Sequence, residues 1–154
     1  MKTLVLYDSV FGNTAQVAKA IAAALGEDTG LHKVDEASLE MLNGVELLVV
    51  GSPTRGFKPT EATANFLKSI PAGALNDVRV AAFDTRVDVR EVNSKVLTFM
   101  VNIFGYAAKP VADKLKSKGG KPVGTAEGFI VLDREGPLKE GELERAAAWA
   151  KGLG

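Results

Sequence analysis

Five short apolar runs, each followed by a segment with helical spacing, constrain this chain more than any other feature. "TLVLY" (3–7), "LHKV" (31–34), "ELLVVGS" (46–52), "VRVAAFD" (78–84) and "GFIVL" (128–132) read as strands. Near-continuous apolar runs that end abruptly in polar residues suit strands covered on both faces. LHKV alternates and is the weakest of the five. Between them lie helical patterns. Val17, Ala18, Ile21, Ala22 and Leu25 share one face, and Gly26 stops it. "ASLEML" (37–42) reads as a short helix, and "TEATANFLKSI" (60–70) as a helix bounded by Pro59 and Pro71. Val96, Leu97, Met100, Val101 and Phe104 mark another, Val111, Ala112 and Leu115 the next, and Leu143, Ala146, Ala147 and Ala150 the last. Strand–helix alternation predicts an α/β fold, a doubly wound parallel sheet with helices on both faces. Right-handed crossovers leave few topologies. Ligands of such sheets sit beyond the carboxyl ends of the strands, where the strand order reverses. Loops 8–14, 52–60 and 84–92 are therefore the candidate site.

Composition narrows the chemistry. The 154 residues suit one domain, 1–154, with no repeat or linker. Nineteen basic residues balance nineteen acidic ones, whereas a duplex-binding surface needs a basic excess. With no cysteine, disulfides and thiolate-held metals are excluded, and with His32 alone there is no histidine-rich metal site. No run of 18 apolar residues spans a membrane, and "MKTLVLYDSV" is too short in its apolar part for a signal peptide, so the expectation is a cytoplasmic protein.

The junction "LYDSVFGNTAQVA" (6–18) carries most of the chemical information. Two readings compete. In one, Asn13 caps the helix and Gln16 completes a capping box, with no ligand involved. In the other, the junction is a cup for a phosphate. First-turn N–H groups lack partners inside the helix, and the helix dipole favours an anion there. Gly12 lets the backbone approach closely, while Ser9, Asn13 and Thr14 add side-chain donors. The loop holds no lysine or arginine, so its donors are neutral, as suits a monoester that is held rather than transferred. The spacing G-x-x-x-x-G-K-S/T of nucleotide hydrolases is absent.

"SVFGNT" followed by "AQVA" resembles the phosphate loop of the flavodoxins, Ser/Thr-x-Thr-Gly-x-Thr. "GSPTRG" after the third strand, "FDTR" after the fourth and "GPLKEGELERAAAWA" near the end extend the resemblance over most of the chain. It implies a flavodoxin-like three-layer sandwich, a five-stranded parallel sheet of order 2-1-3-4-5, and non-covalent flavin mononucleotide (FMN). Ser9, Val10, Phe11, Gly12, Asn13 and Thr14 would hold the phosphate. Ser52, Pro53, Thr54, Arg55, Gly56 and Phe57, with Asp84, Thr85 and Arg86, would flank the ring. Gly56 matches the family's glycine beside flavin N5, whose peptide flips on reduction. The implied function is electron transfer with a redox partner protein or a small-molecule acceptor. The alternatives are a nicotinamide-dependent quinone or flavin reductase and a flavin-less regulatory domain. Receiver domains share the strand order, but they need an aspartate after strand three, where this chain has "VGSPTR".

The chain departs from the family pattern in three ways. Phe11 stands where a threonine hydroxyl is usual. The ring-sandwiching Trp and Tyr are missing, since Trp149 lies in the last helix; Phe57 is the sole aromatic of loop 52–60 and is expected against the ring. An aromatic can also arrive from Phe99, Phe104 or Tyr106, in a segment (88–106) that reads as core, lid or dimer contact. Finally, carrier flavodoxins are acidic near the flavin, whereas Arg55, Lys58, Arg86 and Arg90 here outnumber Asp84 and Asp88. That excess would ease flavin reduction. Lys109, Lys114, Lys116, Lys118 and Lys121 read as a solvated helix face.

Overall fold

Side-chain alternation along the central strands builds two separate cores. A computed structural model describes residues 1–87, 95–96 and 105–154. Strand β1 (Thr3–Tyr7) lies between β2 (Gly30–Lys33) and β3 (Leu47–Pro53), followed by β4 (Arg79–Val87), and every pairing is parallel. Leu4, Leu6, Leu48, Val50, Val80 and Ala82 point to one face, where they pack against Leu67 and Ile70 and against Val111 and Leu115. Those partners belong to helix α2 (Glu61–Ser69) and the turn after it, and to α3 (Ala108–Ser117). Val5, Leu47, Val49, Ala81 and Phe83 point the other way, onto Val17, Ala18 and Ile21 of α1 (Asn13–Leu25) and Ala146 and Ala150 of α4 (Glu142–Lys151). Period-two alternation in strands covered on both faces produces this double burial. Each fully buried Leu or Phe contributes about 1.5–3 kcal/mol.

The sheet runs in the expected order 2-1-3-4-5, but its fifth position is occupied by two pieces. Strand β5 (Lys121–Pro122) pairs with Arg79–Val80, and β6 (Glu127–Val131) with Phe83–Val87. The expected strand 128–132 is thus shifted by one residue and preceded by a short companion. Pro122 has no N–H for the ladder, and Gly124 takes φ +64°, so the chain leaves the sheet between the pieces. An edge position tolerates the interruption. ASLEML forms only a 3-10 turn over Leu39–Leu42, preceded by another over Val34–Glu36, which removes Val34 from the expected second strand. The helix expected over 96–104 lies outside the described residues, apart from Val96.

A close approach at Gly51 fixes how β4 packs. A Cβ there would lie 2.0 Å from the Phe83 ring. Phe83 in turn meets Phe129 and Trp149 edge to face, with centroids 6.1–6.2 Å apart. Trp149 belongs to this core and is remote from the loops at the carboxyl edge.

Candidate functional site

Strands β1, β3, β4 and β6 end at the same edge, since Tyr7 pairs with Gly51, Pro53 with Thr85 and Val87 with Val131. From β1 the chain crosses to β2 on one side, and then to β3 on the other. The loops beyond this reversal enclose a cavity of about 370 Å³. Its lining takes Val10, Phe11, Asn13 and Thr14 from the first loop, Pro53 to Gly56 from the second, and Thr85 to Val87 from β4. That size falls within the range of small-molecule and cofactor sites.

The first loop is built differently from the capped helix considered above. Gly12 is the cap residue, at φ +94°, and no side chain caps through position 12. A Cβ at Gly12 would meet nothing within 4 Å, so glycine is needed there for its conformation and not for space. Asn13 is the first helical residue, and its amide donates to the Glu135 carbonyl at 3.1 Å. Ser9 does the capping work from within the loop: its hydroxyl oxygen accepts the N–H groups of Gly12 (3.1 Å) and Ala15 (3.3 Å). The N–H groups of Val10, Phe11, Asn13 and Thr14 have no partner among the described residues. Four donors around one turn, beside a cavity, form an anion cup.

A relay of hydrogen bonds joins the three loops. The Thr14 and Thr85 hydroxyls lie 2.8 Å apart, both buried. The Thr85 carbonyl accepts Thr54 N–H at 2.9 Å, and Thr54 Oγ1 accepts Ala107 N–H at 3.1 Å. Asp8 ties the first loop to α2, accepting Ser9 N–H and the Thr60 hydroxyl. Thr60 itself caps α2, and its N–H donates to Ser52 Oγ at 3.0 Å. Each threonine therefore positions a neighbouring loop.

The second loop turns tightly at Gly56–Phe57. Arg55 N–H donates to the Lys58 carbonyl (2.7 Å) and Lys58 N–H to that of Arg55 (3.0 Å). Both central residues have positive φ, +55° and +68°. This is the geometry of a two-residue hairpin turn, easy for Gly56 and about 1–2 kcal/mol strained for Phe57. The Arg55 guanidinium lies over the Phe11 ring, 5.6 Å from its centroid, which closes the cavity between the first and second loops.

Asp84 and Arg86 form a closed unit. Arg86 Nε and Nη2 donate to the two carboxylate oxygens at 2.7 Å each, and Ala108 N–H adds a third bond at 2.8 Å. The Asp84 side chain is 0% exposed. Burial pushes its carboxyl above the ordinary value, while the Arg86 fork and the Ala108 N–H pull the other way. Arg86 also stacks on Tyr106 at 3.8 Å and lies across Gly128, where a Cβ would be 2.1 Å from Nε. The charge count made from the sequence already set Asp84 against the arginines, and the pair shows which one it offsets: Arg86 is neutralised by Asp84. Asp88 and Arg90 lie outside the described residues, as do Phe99 and Phe104.

Ten of the fifteen expected site residues line the cavity. Ser9, Gly12, Ser52, Phe57 and Asp84 do not: Ser9, Ser52 and Asp84 are tied into the frame beneath it, Gly12 shapes the turn, and Phe57 sits at the hairpin tip. Phe11 supplies an aromatic wall of the cavity. Val87, inside the expected loop 84–92, also lines the cavity, and so do Val131 and Arg134, which the sequence reading did not name. Val131 and Arg134 lie at and just beyond the carboxyl end of the fifth sheet position, so the rule that singled out the other three loops also reaches them.

The comparisons with known proteins follow this geometry. No curated protein matches the sequence. A flavodoxin from the domain Archaea superposes with a TM-score of 0.75 at 22% identity, covering 99% of this chain and 96% of that one. Oxidised flavodoxin 1 from Bacillus cereus gives 0.76 at 16% identity, with 99% and 97% covered. Rubredoxin oxygen:oxidoreductase from Desulfovibrio gigas gives 0.75 at 18% identity; 99% of this chain matches 35% of that larger one. At these identities the likeness shows the fold. The sequence model of the flavodoxin domain matches residues 4–128, which hold the first, second and third loops, and so the chain belongs to the flavodoxin domain family.

Proposed function

We propose that this chain is a single-domain, cytoplasmic FMN-binding flavodoxin that carries electrons between redox partners. The observation that carries the reading is the cavity at the strand reversal, walled by three loops and faced by the unpartnered N–H groups of Val10, Phe11, Asn13 and Thr14. The donor set fits the group. A phosphate needs several convergent donors close to the backbone, which Gly12 at φ +94° permits. An isoalloxazine ring needs flat apolar and backbone walls, which Phe11, Pro53, Gly56 and Val87 supply. Bound FMN would contribute one- and two-electron redox chemistry. The chain's own residues bind, orient and shield. Among the described residues, the lining holds no carboxylate, histidine or lysine, and its only ionisable side chains are arginines. Among the described residues no side-chain acid or base lines the cavity, so the redox chemistry would be the flavin's own. No helix among the described residues is long and apolar enough to cross a membrane. The test is direct. Purified protein is expected to be yellow, and apo protein to take up one FMN per chain in a fluorescence titration. A colourless protein that leaves FMN fluorescence unquenched refutes the reading.

A further inference from the structure

A cation from far along the sequence lines the same cavity as the first loop. Loop 8–14 contains neither lysine nor arginine, so a phosphate dianion there would meet neutral donors and a helix dipole worth roughly half a charge. The segment after β6 changes this balance. Leu132 N–H donates to the Pro137 carbonyl (2.9 Å), Lys139 N–H to that of Ile130 (2.8 Å), and Gly136 N–H to that of Asp133 (2.9 Å), which folds 132–137 into a tight return. The Asn13 amide pins this return to the start of α1 through the Glu135 carbonyl. Gly136 packs on the same amide, where a Cβ would lie 2.7 Å from Oδ1. The pinned return places Arg134 in the cavity wall beside Val10, Phe11, Asn13 and Thr14.

The three arginines of the wall are not equivalent. Arg86 is bound by Asp84, and Arg55 lies over Phe11. Arg134 uses its backbone N–H on Asp133, at 2.7 Å, but its guanidinium has no partner among the described residues. A planar fork with an unused set of donors is matched to a phosphate.

We propose that Arg134 is the counter-ion of the flavin phosphate and the residue by which this chain distinguishes FMN from riboflavin. The proposal rests on the flavin-binding reading above. Arg134 is exposed at the rim, so its pairing with the phosphate is sensitive to salt.

The test titrates apo protein with FMN and, separately, with riboflavin, at low and high salt, for wild type, Arg134→Gln and Arg134→Lys. A hydrogen bond between charged groups corresponds to roughly a tenfold change or more in affinity. Arg134→Gln is expected to weaken FMN by about that factor at low salt, to leave riboflavin unchanged, and to flatten the salt dependence of FMN binding; Arg134→Lys is expected to restore part of the loss. Unchanged FMN affinity in Arg134→Gln, or equal losses for FMN and riboflavin, overturns the assignment while leaving the flavin site standing. Wild-type protein that binds neither compound overturns both.

Discussion

Replacing Arg86 with methionine is expected to destabilise the fold at neutral pH and to do so less as the pH falls. Methionine keeps the length of the stem and removes the fork together with its stacking on Tyr106. Asp84 would then be a carboxylate with 0% exposure, holding only the Ala108 N–H. Removing one partner of a buried ion pair costs about 3–5 kcal/mol, because the remaining charge is buried and uncompensated. For a domain of this size that is a fall of roughly 6–20 °C in Tm. Burial already holds the Asp84 carboxyl above its ordinary value against the pull of Arg86, and losing Arg86 raises it further. A carboxyl raised on folding binds more protons folded than unfolded between its two pKa values. Its stabilising contribution is complete below the unfolded value and is lost as the pH rises through the folded one. Acidification through that interval therefore neutralises Asp84 in the variant and narrows the gap to wild type. The double variant Asp84→Asn, Arg86→Met removes the orphaned charge and should recover much of the loss at pH 7. Urea unfolding of wild type, Arg86→Met and the double variant at pH 7 and pH 5 checks both expectations. Equal stability of Arg86→Met and wild type at pH 7, or a gap that widens on acidification, refutes the reasoning.

Gly51→Ala forces a Cβ to 2.0 Å from the Phe83 ring, and overpacking should cost at least about 1–3 kcal/mol, read as a lower urea midpoint with an unchanged m-value. Thr14→Val strands the buried Thr85 hydroxyl, lowering stability by about 1–3 kcal/mol and weakening FMN through the loosened loop; a titration and a thermal melt separate the two effects. Arg55→Gln removes a cation from the cavity wall and should make bound flavin harder to reduce, by an amount that shrinks with salt; a redox titration at low salt with no downward shift sinks the charge argument.

Local pattern alone determined the alternation of strands and helices and the two-sided burial of β1, β3 and β4, and it offered the first loop as an anion site or a capped helix start. These depend on side-chain period and on which N–H groups a helix start leaves free, and neighbours in sequence fix both. The 2-1-3-4-5 order came from family resemblance, and the parallel pairings bear it out. Contacts between distant segments decided the rest. Asn13 does not cap α1 because Gly12 takes the cap position and leaves Asn13 as the first helical residue; where its side chain goes depended on Glu135, whose carbonyl accepts the Asn13 amide N–H from 122 positions away. Asp84 and Arg86 entered the charge balance as separate residues; that they form one buried ion pair depended on Gly128, which leaves room for the guanidinium. Arg134 went unnamed although it follows an expected strand, because that its loop turns into the cavity is settled only when β6 closes the edge of the sheet. Charge and hydrogen-bonding capacity are properties of a residue type, but which partner satisfies them is settled by the strand order that brings remote loops to one edge.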